Sequence, residues 1–138
     1  MNVLETEWWT MALPPEWWAE SEEESILVGD RDNVGCIEIS TLPKEQGEFD
    51  LDEVRNIARA GSEQALEWRG VTLGDFEGVQ SRFVEEASAI REWYLLQGAT
   101  LLYITYSCDE ENAGMDDAAV DELLDTLALV TSGRPTPA

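Results

Sequence analysis

The chain has 138 residues, about the length of one domain. Apolar residues make up 43% of it and charged residues 28%, a composition typical of a soluble globular protein with a single core. Thirty Asp and Glu against eight Lys and Arg give a formal net charge of −22. That balance argues against binding to nucleic-acid backbones or anionic membranes, because both require cationic side chains.

The first part of the chain indicates extended structure. Residues 8–13 alternate apolar side chains in a strand pattern that stops at Pro14-Pro15. Trp17-Trp18 begins a short extended piece, and two further strands are predicted at 25–29 and 34–41. The stretch GDRDN between those two strands is typical of a turn, so they are predicted to form a hairpin.

A helix is predicted next, over 51–65. Asp50 and Glu53 have the spacing of a capping box, and apolar residues follow at helical intervals. The period then changes to two, which predicts strands at 71–73, 79–85, 89–96 and 99–108, with turns at 75–78, 86–88 and 97–98. The last element is predicted to be an amphipathic helix over 115–130.

Short connections between consecutive strands require antiparallel pairing. The predicted fold class is therefore α+β, with an antiparallel sheet of about six strands packed with two amphipathic helices. Residues 1–131 are expected to form a single domain and residues 132–138 a disordered tail, because SGRPTPA offers nothing to bury.

The sequence favours a cytoplasmic location. Its beginning has neither the basic segment nor the unbroken apolar segment of a signal peptide, and no stretch reaches the ~20 apolar residues of a membrane span. Cys36 and Cys108 are too few for a disulfide framework, and each lies in an apolar run. We expect both to be small buried side chains.

Two acidic loops, 30–35 and 109–114, partly resemble calcium-binding loops. Each has acidic residues at loop positions 1 and 3 and Gly at position 6. Position 12 should be a bidentate Glu, but it is Thr41 in one loop and Val120 in the other. We predict turns at both places, with no metal and no cofactor.

Catalysis is not expected. The chain has no His, so it lacks the commonest general base and metal ligand, and no Ser or Cys has an imidazole to activate it. Paired carboxylates could perform acid–base chemistry, but thirty acidic residues make such pairs uninformative. The chain is predicted not to be an enzyme, and a carboxylate-based hydrolase is the less favoured alternative.

Six Trp residues stand out, and four of them form the doublets Trp8-Trp9 and Trp17-Trp18. Neighbouring side chains in a strand point to opposite faces, so one indole of each pair can lie in the core. The other can pack under a neighbouring element or form an exposed interface, and the sequence leaves both open.

The hairpin 89–108 carries mostly apolar side chains on both faces, whereas a sheet with one solvated face should alternate cleanly. A turn at 97–98 places Leu95 and Trp93 on one face with Leu102. Two short helices cannot cover both faces of a sheet, so a homodimer is predicted. The candidate partner-binding residues are Trp8, Trp17, Trp18, Trp93, Leu95 and Leu102.

Several sequence segments resemble the PsbP-like family, which includes the yeast Ran-release factor and DcrB-like bacterial proteins. They are Leu13-Pro14-Pro15-Glu16-Trp17, IEIST, DLDEVRNIA, Phe76-Glu77-Gly78, REWYLLQGATLLYITYS and the final amphipathic helix, spread over about residues 7–131. The resemblance implies an α/β/α sandwich and generally non-enzymatic roles, as photosystem subunits, GTPase-partner factors or secretion chaperones. Because the matching positions serve the fold, it transfers no functional residue.

The favoured function is a cytoplasmic binding, adaptor or chaperone-like module for a basic or apolar segment of a partner protein. The charge of −22 would speed encounter with a cationic partner and repel acidic ones. An acidic mimic of nucleic acid that inhibits a basic protein is the alternative. That function would need carboxylates spaced like phosphates along one surface.

Overall fold

The computed structural model describes residues 2–32, 34–61 and 67–130. The strands within them are β1 (Asn2–Glu5), β2 (Trp9–Leu13), β3 (Trp17–Ser21), β4 (Ser25–Asp30), β5 (Gly35–Pro43), β6 (Arg69–Leu73), β7 (Phe76–Glu85), β8 (Ser88–Gln97), β9 (Thr100–Asp109) and β10 (Ala128–Leu129). The helices are α1 (Leu51–Gly61) and α2 (Asp117–Leu124), with a 3₁₀ turn at Glu110–Asn112.

The main sheet has seven strands in the order β3-β4-β5-β9-β8-β7-β6, and every neighbouring pair is antiparallel. The predicted α+β class and the antiparallel sheet are confirmed, with seven strands in place of about six. The predicted hairpin of β4 with β5 is also confirmed. Strand prediction succeeded here because period-two patterns survive wherever at least one face is buried.

Two turns lie at positions that differ from the predicted ones, as the strand pairing shows. Gln97 pairs with Thr100, so the β8–β9 turn is at 98–99 rather than 97–98. Leu73 pairs with Phe76, so the β6–β7 turn is at 74–75 rather than 75–78. Each turn begins at a glycine with positive φ, Gly98 at 57° and Gly74 at 60°, where a side chain would be strained. The shift at Gly98 changes the pairing by two residues and leaves the assignment of side chains to faces unchanged.

A second, three-stranded sheet has the order β1-β2-β10. The sequence did not predict it. Its central strand β2 pairs with β1 from the start of the chain and with β10 near its end. Because β1 and β10 are short and mostly not buried, neither has the alternating pattern that identifies a strand.

Helix α1 begins as predicted at Asp50, whose Oδ1 accepts a hydrogen bond of 2.8 Å from the Glu53 amide. The Glu53 carboxylate does not close a reciprocal capping box. It binds the Nζ of Lys44 at 2.9 Å instead. Residues 62–65 of the predicted helix lie outside the described residues, as does the predicted tail 132–138.

The last predicted helix is too long at both ends, since α2 spans Asp117–Leu124 and the chain then becomes extended. Leu127 fits the apolar stripe of a continued helix, and the extended chain also buries it. The backbone beyond it bonds to other elements: Leu129 N–H donates to Asp75 Oδ2 at 2.9 Å and Val130 N–H to Trp8 O at 2.8 Å. Pairing with β2 therefore replaces the last turns of the helix.

The two faces of the main sheet carry separate cores. On one, here called the helix face, α1 packs Val54 and Ala58 against β7, β8 and β9. On the other, the sandwich face, the small sheet and α2 cover a larger core around Trp9, Trp93 and Leu124. Neither helix among the described residues is long and apolar enough to cross a membrane.

Candidate partner-binding surface

A groove of about 800 Å³ lies where three segments meet. These are the β3–β4 turn, the last residues of β5 and the β1–β2 turn. Thr6 shapes the β1–β2 turn, since its Oγ1 accepts hydrogen bonds from the Trp8 and Trp9 amides at 3.1 and 2.9 Å. This turn places the Trp8 side chain at the groove.

The floor of the groove is largely apolar. Trp8 and Ile26 are half-buried there, and the side chain of Leu42 is 47% exposed. Below them Trp9 is fully buried, with its Nε1 donating to Thr41 Oγ1 at 2.9 Å. That bond ties the small sheet to β5 and makes the floor a fixed surface.

The rim of the groove is acidic. Glu22, Glu23 and Glu24 are consecutive and exposed in the β3–β4 turn, and no Lys or Arg is among the described residues that line the groove. Glu16 lies just before the adjoining strand β3, and Glu20 lies on it. Like charges packed on a short turn produce a strongly negative local potential, which attracts cations and repels anions.

Three of the predicted binding residues are wrong. Trp93, Leu95 and Leu102 are each fully buried on the sandwich face, where the small sheet and α2 cover them. The prediction counted only two helices as possible covers. It missed this second sheet because its strands come from opposite ends of the chain. Both faces of the hairpin are therefore covered within one chain, which removes the stated reason for a dimer at these residues.

The Trp doublets divide between faces as their alternation predicts. Trp9 is in the core and Trp8 is half-buried at the groove. Trp17 packs against the core of the sandwich face, whereas Trp18 lies on the helix face and is 38% exposed. The Trp18 indole lies over Gly29, where an added Cβ would be 2.5 Å from the ring, and its Nε1 donates to Asp30 O at 3.1 Å.

Glu22–Glu24 and Leu42 were not predicted from the sequence as binding residues. Acidic runs occur throughout a chain with thirty carboxylates, so this one carried no special signal. Leu42 is at the end of a strand beside Pro43, and only the folded chain shows that it faces the same groove as Trp8.

The two cysteines lie on opposite faces of the sheet, because Cys36 pairs with Ser107 and Cys108 with Gly35. Both thiols are free. Burial, and then the negative charge of Glu38, raise the pKa of Cys36 above its ordinary value. A raised pKa lowers the thiolate fraction, which fits a packing role.

The two acidic loops, 30–35 and 109–114, lie at the ends of strands. The first connects β4 to β5, and the second forms the end of β9 and the 3₁₀ turn. Within the described ranges, no group of three or more metal-ligating side chains lies close enough to hold an ion.

A second polar cluster fastens α2 to the sheet. Arg91 on β8 is 6% exposed, and its guanidinium bonds Asp121 at 2.8 Å and Asp117 at 3.3 Å. The same group lies 4.6 Å from the centre of the Trp93 ring. Because the cation already has two carboxylates and an aromatic face, we interpret this cluster as a structural contact.

On the helix face, Tyr103 donates to Glu92 Oε2 at 2.7 Å, and burial together with that bond raises the Tyr103 pKa above its ordinary value. Glu92 is itself buried, and its Oε1 accepts no hydrogen bond from the residues described. Within the described part of the chain Glu92 does not line the groove beside Trp8, so its free oxygen does not belong to the binding surface.

Comparison with known proteins supports the fold alone. Family models and curated proteins give no match. A protein from Bacteroides thetaiotaomicron VPI-5482 superposes with a TM-score of 0.68 at 20% identity, over 94% of this chain and 48% of that chain. This chain thus spans about half the length of that protein.

A second similar structure is LpqN, which is involved in cell envelope biogenesis of Mycobacterium tuberculosis. It superposes with a TM-score of 0.58 at 16% identity, over 89% of this chain and 83% of that chain. Neither protein is described as PsbP-like or DcrB-like, so that resemblance stays a prediction.

Proposed function

We propose that this protein is a non-enzymatic binding module that holds a basic, partly apolar segment of a partner protein in the groove beside Trp8. The observation that carries the proposal is one surface with an apolar floor and an acidic rim. Apolar contact supplies affinity where water is excluded, and the rim supplies attraction and selectivity for cations. The PsbP-like resemblance implies functions of the same kind.

The chemistry of the groove supports binding over catalysis. Its carboxylates are exposed on a turn, where they can attract a cation but are not enclosed in an apolar cleft. An acid–base pair for hydrolysis requires carboxylates in distinct, largely desolvated environments. A mimic of nucleic acid would use an extended row of acids, whereas the apolar floor suits a peptide with aliphatic side chains.

A cytoplasmic location is part of the proposal. Its support is the pair of free cysteines, which the sheet keeps on opposite faces, because unpaired thiols are typical of reducing compartments. The homodimer also stays a prediction. Of the residues first named for it, Trp8 and Trp17 are half-buried and Trp18 is exposed, so these three remain accessible to a partner.

Titration calorimetry with short peptides tests the binding function. A peptide of about eight residues containing Lys and Val in equal numbers should bind, since it offers both charge and apolar surface. Peptides of Glu with Val, or of Lys with Ser, should bind much more weakly. Affinity should fall as salt rises above about 0.15 M, because the charges on the rim are exposed and screened.

Two variants and a matched control locate the site. Trp8→Ala, and a triple change of Glu22, Glu23 and Glu24 to Gln, should each weaken binding about tenfold, or about 1.4 kcal/mol. The control neutralises Asp109, Glu110 and Glu111, three acids at the far end of β9, about 20 Å away at ~3.3 Å per residue. Equal losses from both triple variants would show a general charge effect and contradict a binding groove.

A further inference from the structure

Strand β3 is an edge of the seven-stranded sheet, so among the residues that the structure describes no strand pairs with its outer side. Two hydrogen bonds at the ends of β3 show which of its backbone N–H and C=O groups point outward. Glu22 N–H donates to Ser25 O at 2.8 Å and Arg31 N–H to Glu16 O at 2.9 Å. Because antiparallel bonds alternate with a period of two, Trp18 and Glu20 also bond to β4.

Residues 17, 19 and 21 alternate with these bonded residues, so their backbone N–H and C=O groups point towards the open edge of the sheet. Trp17 already donates its N–H to Pro14 O at 2.9 Å. Ala19 and Ser21 are exposed and present both N–H and C=O at the open edge. Such an edge is a template for one more strand, about 4.8 Å beyond β3.

Charge restricts which strand can add there. Residues 16–24 contain five glutamates and no Lys or Arg. A second copy pairing edge to edge would bring ten glutamates together, twice five, and would be repelled. An incoming strand that carries Lys or Arg would instead be attracted.

Side-chain alternation restricts the sequence of that strand further. On the helix face it would lie beside Trp18 and Glu20, where a cation finds the Glu20 carboxylate. On the sandwich face it would lie beside Trp17, which is half-buried, and beside the small exposed side chains of Ala19 and Ser21. This surface suits aliphatic side chains. Ser21 also lines the groove, so the edge and the groove are continuous.

We propose that the partner segment binds as an added β-strand on β3, with cationic and aliphatic residues in alternation. This inference rests on the proposed function and adds the conformation and periodicity of the ligand. Main-chain hydrogen bonds would supply affinity and the alternating side chains specificity, as in other cases of strand addition.

Two peptides of about eight residues test the periodicity. One alternates Lys and Val, and the other has the same composition in two blocks. Their charge and hydropathy are equal, but only the alternating peptide presents Lys to one face and Val to the other. We expect it to bind about tenfold more tightly, measured by calorimetry.

Amide hydrogen exchange measured by NMR tests the backbone contact. Binding of the alternating peptide should slow the exchange of the Ala19 and Ser21 amides, which are free at the edge. The Trp18 and Glu20 amides, bonded to β4, should be protected with or without the peptide. This measurement uses the unaltered protein and does not depend on the folding of any variant.

A substitution at Ala19 gives a third test. Ala19→Pro removes an outward N–H without breaking a bond to β4, a change that edge strands tolerate, and should weaken binding about tenfold. Ala19→Val keeps the N–H and should bind like the unaltered protein.

The outcomes separate the two proposals. If peptides of both orders bind equally and the amides do not change, strand addition is wrong and binding in the groove stands. If neither peptide binds, the proposed function fails, and strand addition fails with it. Concentration-dependent protection of Ala19 and Ser21 without peptide would show a second copy at the edge and overturn the inference.

Discussion

The Tyr106 side chain lies on the sandwich face of β9, where it is 3% exposed and donates a hydrogen bond of 2.7 Å to Asp116 Oδ2. Burial, followed by this bond and the negative charge of Asp116, raises the Tyr106 pKa above its ordinary value of 10.0. The neutral phenol is therefore the form that the folded chain favours.

This raised pKa predicts how stability depends on pH. Above pH 10 the unfolded chain loses the phenolic proton while the folded chain keeps it, so unfolding releases a proton. The free energy of unfolding should then fall with pH, by up to about 1.4 kcal/mol per pH unit for this group. Tyr106→Phe should remove that part of the slope.

Urea denaturation between pH 8 and 11 measures the effect. The stability curves of the two proteins should run parallel below pH 9 and converge above 10. Curves that stay parallel throughout would show that the Tyr106 pKa is not raised in the folded state.

The tryptophans show what single residues could and could not reveal. Alternation along a strand determined which indole of each doublet points inward, since it depends only on neighbouring residues. The burial of Trp93 depends on β2 and α2, which are distant from it in the chain. Sequence pattern identified it as apolar and on a given face, but not as covered.

At the scale of elements, the β7–β8 hairpin has an unusual turn. Its two central residues, Glu86 and Ala87, have φ values of 53° and 69°. Positive φ at both positions is typical of a type I′ turn, in which Asn and Gly are preferred because a Cβ is strained there. The hairpin is formed in spite of its turn residues, through the paired strands on either side.

Ala87→Gly should therefore raise the free energy of unfolding by up to about 1 kcal/mol, because it relieves a strained Cβ. Ala113→Gly is the matched control, since Ala113 has an ordinary φ of −56°. That change should lower stability, because glycine only adds freedom to the unfolded chain. Urea denaturation of both variants checks the difference, and destabilisation by both would contradict strain at Ala87.

The point at which α2 ends could not be predicted from pattern. Leu123, Leu124 and Leu127 fit one helix face, and the predicted stripe continued to Val130. The structure ends the helix because the backbone N–H groups of 129–130 donate to Asp75 and to Trp8, the residue just before β2. Tertiary pairing of this kind overrides local periodicity, whereas for α1 the cap at Asp50 is local and was predicted.

At the scale of the whole molecule, the most unusual property is the charge of −22. Within the described ranges the ion pairs are few, and several are exposed, such as Arg82 with Asp117 and Arg69 with Glu67. Each exposed pair is worth about 0–1 kcal/mol. Repulsion among the many unpaired carboxylates therefore outweighs them, and folding concentrates that repulsion because the unfolded chain is more extended.

Salt should consequently stabilise this protein at neutral pH. Screening to within about 8 Å at 0.15 M weakens repulsion among exposed acids more than it weakens the few pairs. The urea midpoint at pH 7 should rise steadily as NaCl is added. Near pH 4.1, the isoelectric point of the sequence, net charge is close to zero and the same salt should have little effect. An equal rise at both pH values would indicate salt acting on apolar burial instead, and a fall at pH 7 would mean that native ion pairs dominate.

The same salt should weaken binding of the Lys and Val peptide, so stability and affinity are expected to change in opposite directions.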